Sequence, residues 1–160
     1  MGVISNGTTL LDAGALDSGV ATGDIVLITT VTASSSANLD FTSGINSTYK
    51  EYIFKYINIH PASVAKLTVN FRDGGSDFDA TKTTTAINPY NNENGTASGV
   101  IYRTAWDLAQ STSDQIIAQE LGNGSDESAS GFMYLYEPAN TSKVKHFIGT
   151  TNYYQQFGAT

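Results

Sequence analysis

Asp73, Asp77 and Asp79 place three carboxylates within "RDGGSDFDA", and oxygen clusters of this kind bind calcium. A calcium loop of the twelve-residue type sets its ligands at alternate positions and closes on a Glu, which this stretch does not do. Asp and Gly also crowd into tight turns for conformational reasons alone, and the sequence reads as a turn. The same reading applies to Asp126 and Glu127 in "GNGSDES". The two histidines, His60 and His146, flank apolar stretches and show neither HxH nor HxxxH spacing, so neither reads as a metal ligand. No GxSxG elbow is present to present a nucleophilic serine. Glu51, Glu120 and Glu137 supply carboxylates for glycoside cleavage, but nothing in their spacing sets the separation that this chemistry needs. The expectation is a protein with no catalytic residues, no metal and no cofactor: not an enzyme.

Aromatic rings are the other candidates for binding. Tyr90, Tyr102 and Trp106, with Tyr153 and Tyr154, have the chemistry to stack on sugar rings, and the same rings serve equally well in a sheet core or a subunit interface. In "KEYIFKYINIHP", an extended chain sets Tyr52, Phe54 and Tyr56 on one face and Ile53, Ile57 and Ile59 on the other. Phe132, Tyr134 and Tyr136 alternate in the same way with Met133 and Leu135. A strand apolar on both faces is either central under a covering loop or part of a subunit contact, where Tyr adds area with a polar tip. Tyr52, Phe54, Tyr56, Tyr134 and Tyr136 are therefore expected in an interface or in the core beneath it.

The elements that carry these residues follow from composition. The chain is 40% hydrophobic and only 14% charged, with Thr, Ser, Asn and Gly in place of the missing charge. Those residues favour turns and solvated strand faces over surface helices. A net charge of -7 leaves too little clustered Lys and Arg for a phosphate-binding groove, so nucleic acid is not an expected partner. There is no cysteine, hence no disulfide and no thiolate metal site. The opening "MGVISNGTTLL" has no basic region and no long apolar run, and Asn6 stands where a myristoylation signal wants Ser or Thr. The expectation is a soluble chain without export signal or membrane contact. Five N-x-Ser/Thr sequons, at Asn6, Asn46, Asn94, Asn123 and Asn140, are what this composition produces by chance.

Residues 1–24 carry five glycines and no sustained apolar period, so Leu10, Leu11 and Leu16 cannot be buried by the segment itself. They read as an extended N-terminal arm whose leucines pack on another subunit or on a particle shell. From residue 25 "DIVLITTVTA" is β-branched and predicts the first strand of a domain running to residue 160. Leu67, Val69 and Phe71 alternate with polar residues before "RDGGSD", which predicts a hairpin turning on Gly74 and Gly75 with a local return strand. "NPYNNENGTASG" reads as a polar loop, a helical turn falls near Trp106 to Gln110, and "SGFMYLYEPANTSKVKHFIGTTNYY" reads as two strands joined by "EPANTSK". Short strands joined by Gly and Asn turns make an all-β fold, an antiparallel β-sandwich of jelly-roll type.

The runs "STYKEYIFKYINIHPA" and "KVKHFIGTTN", within a likeness that spans most of the chain from about Gly19, resemble a family of virion structural proteins in tailed bacteriophages of marine bacteria and cyanobacteria. These are packing and turn motifs, so the resemblance implies fold and virion membership and carries over no active site. It implies a capsid decoration or head-fibre subunit attached through its N-terminal arm, a homo-oligomer with a trimer expected, beside other phage capsid or tail proteins. The location implied is the virion, assembled in the host cytoplasm. Similar chains continue past the position of Thr160 with further strands, which implies a sandwich truncated here, or an edge near residues 143–154 that a neighbour completes. The alternative is a tail fibre or spike module that binds host surface polysaccharide through Tyr90, Tyr102 and Trp106.

Overall fold

The computed structural model describes residues 3–5, 7–12, 15–16 and 25–156. The chain forms two compact units, residues 1–44 and 45–160. Among the described residues the regular structure is all β and antiparallel, with one 3₁₀ turn at Thr104–Trp106 and no α-helix. That is the expected fold class, all-β and antiparallel, consistent with a sandwich.

In the first unit, β1 (Val3–Ser5), β2 (Thr8–Asp12) and β3 (Ala15–Leu16) form a small antiparallel meander. Val3 pairs with Leu11 and Leu11 with Leu16, so two of the three arm leucines are cross-strand partners. The side chains of Leu10, Leu11 and Leu16 lie outside the described residues. Residues 25–42, expected to open the sheet, belong to no strand. High β-propensity makes a strand only where an edge offers hydrogen-bond partners, and no described residue of this chain offers one here.

The second unit is built on β9 (Ala129–Tyr136), flanked by β4 (Glu51–Ile59) and β10 (His146–Tyr153). β9 and β10 pair over their full eight residues, from His146 with Tyr136 to Tyr153 with Ala129, as their alternation predicts. β4 runs in register with β9 from Glu51 opposite Tyr136 to Tyr56 opposite Gly131. A bulge at Ile57 and Asn58 then interrupts it, with Asn58 at φ 57°, a left-handed conformation that Asn tolerates. The bulge sets Ile59 opposite Ala129 and so moves it from the face of Ile53 to the face of Tyr52.

β5 (Ala65–Val69) does not pair with a local return strand. Its partner is β8 (Gln115–Leu121), nearly fifty residues later; the segment after "RDGGSD" returns to the end of β5 through the single bond Ala80 N–H to Phe71 O and then pairs with residues 108–111 through the Lys82–Ser111 bridge and Thr84 N–H to Leu108 O. Of the two glycines assigned to that turn, Gly74 alone has a positive φ. Two irregularities in the β5–β8 register give β8 a buried period of three: Gln115, Ala118 and Leu121. "NPYNNENGTASG" is likewise no plain loop. It supplies most of a hairpin, β6 (Ile87–Asn91) with β7 (Ser98–Tyr102), closed by the bonds Asn92 N–H to Ala97 O and Gly95 N–H to Asn92 O. Pro89 is accommodated because β6 is an edge strand.

The two main sheets meet at a corner. Past β10 the chain crosses onto β8 through the Leu121–Gln155 bridge, with Gly122 N–H bonded to Tyr154 O and Gln156 N–H to Glu120 O. Among the described residues the buried apolar side chains of the core are Tyr52, Trp106, Ala118, Leu121, Ala129, Met133 and Leu135, and of the large ones Leu121 alone is fully enclosed, at 2% exposure.

Candidate interaction surface

Cross-strand register fixes which side chains share a face of the β10-β9-β4 sheet. The inner face carries Tyr52 beside Leu135 and Phe147, and Phe54 beside Met133. The Tyr52 hydroxyl donates to Asn46 O and accepts from Asn46 N–H, both at 2.9 Å, which satisfies the polar tip of a buried ring. Tyr56 is half-buried over Gly131, its hydroxyl donating to Thr150 O at 3.1 Å and 2.5 Å from Thr151 Oγ1. Burial pushes the Tyr56 phenol above its ordinary pKa, against the opposing pull of Thr151. These three rings therefore belong to the inner layer.

The outer face carries Ile53, Tyr134 and Ile148 in one row, with Phe132 between Lys55 and Thr150 in the next and Tyr136 between Glu51 and His146 beyond. Along β9 the three rings form a ladder: Phe132 meets Tyr134 edge-on at 5.5 Å, and Tyr134 lies parallel to Tyr136 at 6.2 Å. This face is partly open to solvent: Ile53, Tyr134 and Tyr136 are half-buried and Phe132 is exposed. Ile148 is 61% exposed and Ile57, at the bulge, 76%. At one end a shallow hollow of about 530 Å³ opens between Tyr136, Glu137, Lys143, Val144 and His146. Neither Ile148 nor Val144 was singled out by alternation, because a lone Ile or Val among polar residues carries no periodic signal.

A second uncovered apolar run lies in the first unit. Ile25, Val26, Leu27, Ile28 and Val31 are all exposed, Leu27 at 80%. The β-branched texture of "DIVLITTVTA" marks the run in the sequence but reads there as a paired strand.

The ring candidates for sugar stacking do not converge. Tyr90 and Tyr102 stand on opposite faces of the β6–β7 hairpin, since Tyr90 pairs with Gly99 and Tyr102 with Ile87. The Tyr102 hydroxyl donates to the Asp107 carboxylate, and Trp106 is only 8% exposed, with the Arg103 guanidinium 5.3 Å from its ring centre. Tyr153 is held by Asn88 Nδ2 at 3.2 Å.

The remaining polar candidates are also dispersed. His60 bonds Gly124 O through Nε2 at 2.9 Å, beyond the end of β4 far from His146. Glu120 accepts from Gln155 Nε2 at 3.0 Å, and Glu51 opens β4. Among the described residues no group of three or more His, Cys, Asp or Glu side chains could hold a metal ion, Asp73, Asp77 and Asp79 included. No helix there is long and apolar enough to cross a membrane. No family model, curated protein or solved structure matches the chain.

Glu137 closes the end of the sheet. Its carboxylate accepts from Lys50 Nζ at 2.8 Å and from Asn140 Nδ2 at 2.9 Å, which holds it below the usual carboxylate range, and the same contact raises Lys50. Being more acidic folded than unfolded, Glu137 contributes stability above the usual carboxylate range and loses it as the pH falls through its folded pKa. Lys50 contributes below its usual range and loses its share as the pH rises through its own raised value. The Glu137→Gln variant should therefore flatten both limbs of the melting temperature against pH, by a small amount because the pair is solvated. An unchanged profile would show that the ion pair contributes nothing.

Proposed function

We propose that this chain is a non-enzymatic structural subunit of a bacteriophage particle, a capsid decoration or head-fibre protein that acts by burying surface against copies of itself and against other capsid or tail proteins. The observation that carries the reading is the mismatch between a small core and a large apolar display. A chain that leaves Ile57, Phe132, Val144, Ile148 and the apolar residues of the run 25–31 exposed, with Ile53 and Tyr134 only half-buried, forgoes burial that stabilises at about 25 cal/mol per Å². Contiguous apolar surface of this kind marks a protein–protein contact. The resemblance of "STYKEYIFKYINIHPA" and "KVKHFIGTTN" to phage virion proteins supplies the setting. The N-terminal arm serves as the attachment, and the virion, assembled in the host cytoplasm, is the location.

Of the sequence-derived interface candidates, Tyr134 and Tyr136 stand on the outer face and take the contact, while Tyr52, Phe54 and Tyr56 support it from beneath. Among the described residues β4 and β10 each pair with β9 alone in their sheet, while the chain just past β10 bonds to the end of β8. A bare edge invites a strand from a neighbour, so residues 143–154 fit an edge that a second copy completes. The polysaccharide-binding alternative loses its platform with Trp106 buried and Tyr90 and Tyr102 turned apart, and no observation favours it.

Light scattering of the purified chain at micromolar concentration should give a homo-oligomer, a trimer in this reading, and a monomer would overturn it. Tyr134→Ala should weaken self-association by about 2 kcal/mol if the ring is a hot spot. The same change should leave the unfolding midpoint of the dissociated chain nearly unchanged. A large fall in that midpoint with unaltered association would place Tyr134 in the core instead.

A further inference from the structure

Lys82 is a lysine almost wholly removed from solvent, at 5% exposure, in a segment that neither the strand pattern nor the proposed contact explains. Its main chain bridges Ser111 in both directions, which fixes the stem beside the start of β8. At the tip, Nζ donates to Asn70 Oδ1 and to Ala80 O, the latter at 2.6 Å. No carboxylate is in contact with it: among the described residues the ion pair is Lys50 with Glu137. Burial without a carboxylate in direct contact disfavours the ammonium relative to the neutral amine.

Asn70, one residue past β5, is pinned at both ends of its carboxamide. Oδ1 accepts from Phe71 N–H at 2.9 Å as well as from Lys82, while Nδ2 donates to Thr112 O at 3.0 Å and to Asp114 Oδ1 at 2.8 Å. An amine, a carbonyl whose oxygen faces a fixed N–H donor, and an amide nitrogen resting on a carboxylate are the parts of an acyl transfer: nucleophile, polarised electrophile and proton relay at the leaving group.

We propose that Lys82 and Asn70 join in an intramolecular isopeptide bond, with Asp114 relaying the proton. The neutral amine of Lys82 attacks Asn70 Cγ from the face of the amide, and the oxygen that gathers charge keeps the Phe71 N–H. In the tetrahedral intermediate both nitrogens sit on Cγ, so Asp114 can take the proton from Nζ and return it to Nδ2. The Cγ–Nδ2 bond then breaks and ammonia leaves. Carboxamide and amine become a secondary amide and ammonia, with no oxidant, cofactor or metal. Burial, the largest influence on Lys82, lowers its pKa and favours the neutral nucleophile, against the pull of Asp114, Asp79 and Asp73. The product removes the buried charge and ties the glycine-containing loop 71–81 to the β5–β8 pair. It stands on geometry independent of the proposed function.

Intact-mass measurement of the full chain in denaturant decides the matter. The expected mass falls short of the sequence by one ammonia, and proteolysis should yield a branched peptide joining the segments of Asn70 and Lys82. Lys82→Arg, which keeps a hydrogen-bonding cation but no attacking amine, should restore the full mass, and Asp114→Asn should leave most of the chain unlinked. A wild-type mass equal to the sequence would overturn the bond. So would an ammonia deficit with the two segments unlinked, which is the signature of a cyclic imide at Asn70. If Asp114→Asn links as completely as wild type, the relay is wrong.

Discussion

Replacing Leu121 with Ala should cost about 2–5 kcal/mol, enough to remove a large part of the stability of a domain that has about 5–15 kcal/mol in all. Leu121 is the large side chain that the core encloses completely, and it sits where three segments meet. It ends β8, faces Ala65 of β5 across the ladder and bridges Gln155 after β10. A cavity there cannot be closed by a small shift of one strand, because the corner bonds of Gly122 and Gln156 hold the surrounding backbone. The cost should fall at the upper end for that reason. Urea unfolding of the dissociated chain is the measurement, with the midpoint falling at constant slope. A loss below about 1 kcal/mol would mean that the corner is not where the domain is held together.

What the sequence made legible follows from how local each signal is. β9 and β10 alternate cleanly, are joined by a short turn-rich stretch, and pair without slippage, so period and turn chemistry suffice. Apolarity on both faces of β4 was equally readable, and its resolution is informative: Tyr52 and Phe54 line a core, while Ile53 stands half-buried on the other face and Ile57 is exposed. Composition alone could not say which face was which, because both rows are apolar. The failures share a non-local cause. The pattern around β5 predicts a partner next in sequence and the structure gives it β8, since a glycine-rich turn after a strand does not oblige the chain to return beside it. The bulge at Asn58 reverses Ile59, and the irregular β5–β8 register gives β8 a period of three that matches neither template. Residues 25–31 have the strongest strand texture in the chain and no strand. Propensity describes fitness for a sheet edge and cannot report whether an edge is available. The candidate surface was half legible, through Tyr134 and Tyr136. Its aliphatic part was not, and the Lys82–Asn70–Asp114 group, drawn from three separate segments, left no spacing to read.

Gly131→Ala should destabilise the sheet by about 3 kcal/mol, the upper part of the usual range for an overpacked site. Gly131 lies opposite Tyr56 on β4 and Thr151 on β10, in the middle of the three strands. A Cβ there would stand 2.2 Å from Thr150 O and 2.7 Å from the Tyr56 hydroxyl. The glycine is thus required by space and not by its φ. The oxygen is the harder obstacle, since a ring can turn away but Thr150 O belongs to the β10 main chain and also accepts the Tyr56 hydroxyl. Against this, Ala regains only about 0.5–1 kcal/mol of backbone entropy over Gly. Tyr56→Phe in the same chain removes the hydroxyl but leaves the carbonyl and the ring edge, whose Cε2 is 2.8 Å from the added Cβ, so it should recover less than half of the loss; full recovery would assign the clash to the hydroxyl. The change should reach the outer face as well. Displacing β10 moves Ile148 relative to Tyr134 and Ile53, its neighbours in the same cross-strand row, so self-association should weaken at temperatures where the variant is still folded. A folded Gly131→Ala chain that assembles as wild type would show that the contact does not depend on that row.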